Sequence, residues 1–81
     1  MRISIFGFGY VGATTGACLA KEGHDVIGVD PQRAKLDLIM AGKSPIVEEG
    51  LEELIEAGVS SGRLSVTTDY RTAVAMTDIS L

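Results

Sequence analysis

Gly7-Phe8-Gly9-Tyr10-Val11-Gly12 follows directly on an apolar-rich run, Ile3 to Phe6, and an aspartate, Asp30, arrives 18 residues after the last of these glycines. A glycine-rich turn alone is a weak signal in a chain with ten glycines. The timed acid strengthens it, because a dinucleotide needs both. In that reading Gly7 makes a tight turn out of a buried strand and Gly9 lets the backbone approach a pyrophosphate. Gly12 lets the next helix lie close on the sheet, and the free N–H groups and positive dipole end of that helix hold the phosphates. A turn that merely joined strand to helix would need no acid at the end of the following strand.

Working outward, the pattern alternates strand and helix. It predicts strands over about 2–6, 25–30 and 64–67, with a fourth over 78–81, and helices over about 10–22 and 31–41. The first helix is rich in small residues (Ala13, Gly16, Ala17, Ala20) and is stopped by Gly23. The second has Pro31 in its first turn and a buried stripe of Leu36, Ile39 and Met40, and Gly42 ends it. A loop over 43–47 carries Pro45. An acidic helix follows to about Ala57 and is closed by Gly58, and Asp69 caps a last helix running through about Met76. Such an alternation predicts an α/β fold, a Rossmann-like parallel sheet in the order 3-2-1-4 with crossover helices. A ligand would then sit at the carboxyl ends of the strands, at the switch point between strands one and four, with Asp30 where a ribose would lie.

At 81 residues the chain is shorter than a usual nucleotide-binding domain. It is expected to be the first half of one, residues 1–81, with the second half and a substrate domain absent and no catalysis by this part alone. Net charge of −4 argues against nucleic acid as a partner. Five of the eleven acids fall between Glu48 and Glu56, where they suit the first turn and solvated face of a helix buried through Leu51, Leu54 and Ile55. No apolar stretch approaches membrane-spanning length and no leader pattern opens the chain, so no membrane partner and a cytoplasmic location are expected. The single cysteine, Cys18, fits a reducing compartment and reads as a small buried residue among alanines. His24 has no ligand partner at useful spacing, so no metal is expected.

Three further segments, Gly42-Lys43-Ser44-Pro45-Ile46-Val47-Glu48, Gly50-Leu51 and Thr67-Thr68-Asp69, join the run from Ile3 to Gly12 in a specific likeness. Together they make the chain resemble, over essentially its whole length, the amino-terminal part of the UDP-glucose/GDP-mannose dehydrogenase family. The loop from Lys43 to Glu48 and Gly62-Arg63-Leu64-Ser65 lean toward its GDP-mannose branch. The resemblance implies NAD as cofactor and a nucleotide sugar as substrate of the complete enzyme. The C6 alcohol would be oxidised to a carboxylate in two hydride transfers, through a thiohemiacetal on a cysteine far downstream that is not Cys18. By the same resemblance Tyr10 and Val11 offer backbone contacts to the pyrophosphate, Asp30 takes the adenosine ribose hydroxyls, and Lys35 reaches the adenosine side. Where the family usually shows Glu-Pro-Gly-Leu, this chain has Glu48-Glu49-Gly50-Leu51, which loosens the entry to the acidic helix.

The residues taken alone leave two other classes open: a stand-alone NAD-sensing or adenosine-nucleotide-sensing module without chemistry, and a methyltransferase-type domain. The spacing from Gly7 to Gly12 favours a pyrophosphate over a methionine-derived ligand. NAD is expected over NADP, since the Asp30 carboxylate repels a 2′-phosphate, although Arg33 lies three residues on. A homo-oligomer is expected from an edge strand in a sheet type normally buried on both faces.

Overall fold

Strand β1 (Arg2–Phe6) pairs in parallel with β2 (Asp25–Val29) on one side and with β4 (Ile79–Ser80) on the other, and β3 (Leu64–Thr67) lies beyond β2. The computed structural model describes residues 1–44 and 47–81, and its sheet has the order β3-β2-β1-β4 expected from the sequence. Pro45 and Ile46, part of the loop and of the family-like segment, lie outside the described residues. Register aligns Ile3 with Val26 and Val26 with Leu64. Since alternate residues of a strand share a face, Ile3, Ile5, Val26 and Leu64 form one apolar surface. Helix α1 (Tyr10–Lys21) packs on it through Ala13, Ala17 and Ala20, and α3 (Leu51–Ser60) adds Leu51 and Ile55.

Helix α2 (Arg33–Met40) buries only Leu36 and Ile39, against β3 and α3. At roughly 1.5–3 kcal/mol for each fully buried side chain, either one accounts for about half of what attaches the helix. The opposite face of the sheet carries α4 (Tyr70–Met76), whose N-cap Asp69 accepts hydrogen bonds from the Arg71 and Thr72 N–H groups. Ser4 falls between Ile3 and Ile5, and so faces α4. There the Thr77 hydroxyl donates to Ser4 Oγ (3.0 Å), and the Ser4 and Ser80 hydroxyls bond at 2.8 Å.

Several expectations are corrected. The acidic helix starts at Leu51 and runs past Gly58 to Ser60, leaving Glu48 and Glu49 ahead of it. Gly58 is buried inside the helix because a Cβ there would lie 3.0 Å from the Leu64 Cβ and 3.5 Å from the Ala20 Cβ, so its task is close packing. Gly62, with φ +79°, ends the helix: its N–H bonds the Val59 carbonyl while the Arg63 N–H bonds the Gly58 carbonyl. The same pair of bonds closes α1 at Gly23 and α2 at Gly42. Helix α2 begins at Arg33, with Pro31 outside it, because the Asp30 carboxylate takes the Gln32 N–H and holds 30–32 as a turn. Met40 is 50% exposed, past the line through Leu36 and Ile39. Cys18 is exposed as well, since a step of about 100° from Ala17 carries it off the buried stripe.

Candidate functional site

The site is assembled where β1 ends. Gly7 has φ +81°, which only glycine adopts without strain, and its N–H bonds the Val29 carbonyl at 2.8 Å, fastening the turn to the end of β2. The chain then enters α1 with Gly9 as N-cap, and no side chain caps the helix. The N–H groups of its first turn, at Tyr10, Val11 and Gly12, have no intrahelical acceptors. A Cβ on Gly9 would meet nothing within 4 Å, so the backbone there faces open space. A Cβ on Gly12 would collide with the Gly7 carbonyl oxygen and also lie 3.4 Å from Ile5 Cγ2. Packing therefore holds position 12 to glycine, whereas nothing in the protein itself excludes a side chain at Gly9.

Asp30 is brought to this turn directly. It is 4% exposed, and its Oδ2 accepts from the Phe8 N–H (2.9 Å) and the Lys35 ammonium (3.0 Å) while Oδ1 accepts from the Gln32 N–H (2.9 Å). Burial pushes the carboxyl pKa up. The hydrogen bonds from Gln32, Lys35 and Phe8, with the charge of Lys35, outweigh that and hold it below its ordinary value. A carboxylate has about four acceptor directions; three are used, so one on Oδ1 carries no bond from the protein. Lys35 retains further N–H donors beside it. The fit to a dinucleotide is good: open backbone at Gly9, uncapped donors on α1, and an ionised acid at the neighbouring strand end.

Gly7, Gly9, Tyr10, Val11 and Gly12 thus lie together at one turn, Asp30 joins them through the Phe8 N–H, and Lys35 joins through Asp30. Tyr10 and Val11 point outward, Val11 being 73% exposed. Beside them a crevice between α1 and the β1–β4 edge is lined by Phe6, Gly7, Val11, Gly12, Thr15 and Leu81, at the switch point of the sheet. Two residues of the site went unrecognised in the sequence, Phe8 and Gln32. For Gln32 there was no signal, since it acts through its backbone. For Phe8 there was one: Gly16 and Gly28 sit inside a helix and a strand with no turn to explain them.

Fold and site together define a dinucleotide-binding unit of Rossmann type. Residues 1–81 match the family model described as "UDP-glucose/GDP-mannose dehydrogenase family, NAD binding domain", and the chain belongs to that family. The GDP-mannose 6-dehydrogenase of Pseudomonas savastanoi pv. phaseolicola is 59% identical over 81 residues, 100% of this chain and 18% of that protein. The UDP-glucose 6-dehydrogenase of Rhizobium meliloti (strain 1021) is 46% identical over 79 residues, 98% of this chain and 18% of that protein. A crystal structure of a ternary complex of GDP-mannose dehydrogenase from Pseudomonas aeruginosa superposes with a TM-score of 0.97 at 60% identity, covering 99% of this chain and 18% of that one. The chain therefore spans about a fifth of the length of these relatives. Family membership sets the methyltransferase-type reading aside. No helix among the described residues is long and apolar enough to cross a membrane.

Proposed function

We propose that residues 1–81 supply the adenosine and pyrophosphate half of the NAD site in an enzyme that oxidises the C6 alcohol of a nucleotide sugar, GDP-mannose to GDP-mannuronate before UDP-glucose to UDP-glucuronate. The observation that carries the reading is the Asp30 carboxylate tied to the glycine turn at 2.9 Å with one acceptor direction free. In this arrangement the N–H groups of Tyr10 and Val11, at the positive end of α1, take the pyrophosphate oxygens, and Gly7, Gly9 and Gly12 give them room. Asp30 accepts a ribose hydroxyl on Oδ1, and Lys35 donates to the adenosine side while keeping Asp30 ionised. Bound NAD supplies the hydride acceptor. Groups that touch the sugar lie outside these residues, so this part alone is inactive in the proposal. The higher identity to GDP-mannose 6-dehydrogenases than to UDP-glucose 6-dehydrogenases supports the choice of sugar. A homo-oligomer is also proposed, and a cytoplasmic setting suits a reaction that draws on NAD.

The test is turnover by the full-length protein: NADH formation with GDP-mannose and NAD, against UDP-glucose as competitor. Faster turnover of UDP-glucose would overturn the choice of sugar. Absence of turnover with both, in a protein that binds NAD, would favour a sensing module instead.

A further inference from the structure

Phosphate binding gives no reason for an aromatic residue between two glycines, yet the ring of Phe8 is fully buried. It fills space that side chains at two other positions would take. A Cβ at Gly28 would lie 2.8 Å from Phe8 Cδ1 and 2.9 Å from Cε1, and one at Gly16 would lie 2.9 Å from both Cε1 and Cζ. Gly16 is inside α1, Gly28 is inside β2, and neither has positive φ. Glycine is disfavoured in the interior of either element, and the ring accounts for both.

The backbone of the same residue has the second role. Phe8 N–H donates to Asp30 Oδ2 at 2.9 Å across 22 residues of chain. Within the turn, Gly7 and Gly9 have no side chains, and Tyr10 and Val11 are exposed. Phe8 is thus the one side chain from 7 to 11 that anchors the turn in the core. Glycine-rich backbone is loose by itself, since glycine has the most conformational freedom to lose. A ring wedged between helix and strand removes that freedom at the residue next to Gly9, where the backbone is open.

We propose that Phe8 is a positioning residue of the NAD site: its ring, seated in the notch left by Gly16 and Gly28, sets the turn over the start of α1 and aims the Phe8 N–H at Asp30. The pyrophosphate-binding and ribose-binding parts are thereby held at one fixed separation. Phe8 touches no cofactor, and the proposal rests on the NAD site assigned above.

The experiment separates positioning from packing in the full-length protein by measuring melting temperature and NAD affinity for four variants. Phe8→Ala empties the notch, Gly28→Ala pushes the ring, Phe8→Ala with Gly28→Ala partly refills the notch without a ring, and Phe8→Leu keeps an apolar plug that cannot reach both glycines. Phe8→Ala and Gly28→Ala should each melt lower and bind NAD more weakly, by roughly ten- to a hundredfold, the scale of a misplaced binding group. The double variant should regain melting temperature over Phe8→Ala while its NAD affinity stays low. Phe8→Leu should likewise lose more affinity than stability. NAD affinity that recovers along with melting temperature in the double variant, or that is unchanged in Phe8→Leu, would reduce Phe8 to packing and overturn the proposal. Wild-type protein that binds no NAD would overturn the assignment of the site, and the proposal with it.

Discussion

Around Asp30 the charge balance is local enough to reason atom by atom. Its Oδ2 is shared by the Phe8 N–H and the Lys35 ammonium, so Lys35 is a neutralising partner for the carboxylate. Replacing Asp30 by serine removes the carboxylate that repels a 2′-phosphate and releases Lys35, with Arg33 exposed in the first turn of α2. Calorimetric titration should find NAD preferred over NADP in the wild type and the gap narrowed in Asp30→Ser by about tenfold or more, one charge-assisted contact. Tighter NADP binding by the wild type would sink this idea. The same contacts set a pH dependence. Because the folded pKa of Asp30 lies below its ordinary 3.8, its stabilising contribution is fully present above that value and is lost as pH falls through the folded value. Acid unfolding below about pH 4 should therefore be steeper for wild type than for Asp30→Asn, and equal slopes would show that the three hydrogen bonds do not favour the ionised form.

At the scale of elements, the contact between the glycine turn and α1 divides into access and fit. Gly9 has ordinary extended backbone, and a methyl group there meets nothing, so Gly9→Ala should leave the melting temperature unchanged while weakening NAD binding. Gly12→Ala drives a methyl group into the Gly7 carbonyl, backbone that cannot rotate away, and should lower stability by roughly 1–3 kcal/mol. Denaturant melts and NAD titrations of the two variants check this; intact affinity in Gly9→Ala would mean the pyrophosphate lies elsewhere. The packing role of Gly12 was legible in the sequence because the rules behind it are local: a turn, a helix start and a strand end at fixed spacing. The end of α3 was not. Gly58 and Gly62 both suit a helix stop, and only the approach of Leu64 and Ala20 tells the packed glycine from the closing one. The seat of the Phe8 ring is marked in the sequence only by two glycines without a turn, because the ring's partners lie 8 and 20 residues away in different elements.

For residues 1–81 as a unit taken alone, what the sheet leaves uncovered decides how they behave. β4 pairs with β1 alone among the described residues, and Ile79 on it and Leu81 just past it are 45% and 58% exposed. Ile79 is in register with the buried Ile3, so it continues the apolar face that α1 covers over β1 and β2. Phe6 and Val11, also exposed, border the same crevice. A parallel sheet is normally shielded on both faces and an unpaired edge is a template for another strand. Two copies meeting edge to edge at β4 about a two-fold axis would extend the sheet and bring both apolar patches side by side, a self-complementary contact. These 81 residues expressed alone should accordingly associate with rising concentration in light scattering and bind NAD weakly, having only the adenosine and pyrophosphate contacts. Ile79→Lys puts a charge on that edge and should shift the population toward monomer with little change in fold, because the position is half exposed. A monomer at high concentration that binds NAD with micromolar affinity would contradict both expectations; association that survives Ile79→Lys would move the contact away from β4, with the exposed Tyr70, Val74 and Met76 of α4 as the next surface to alter.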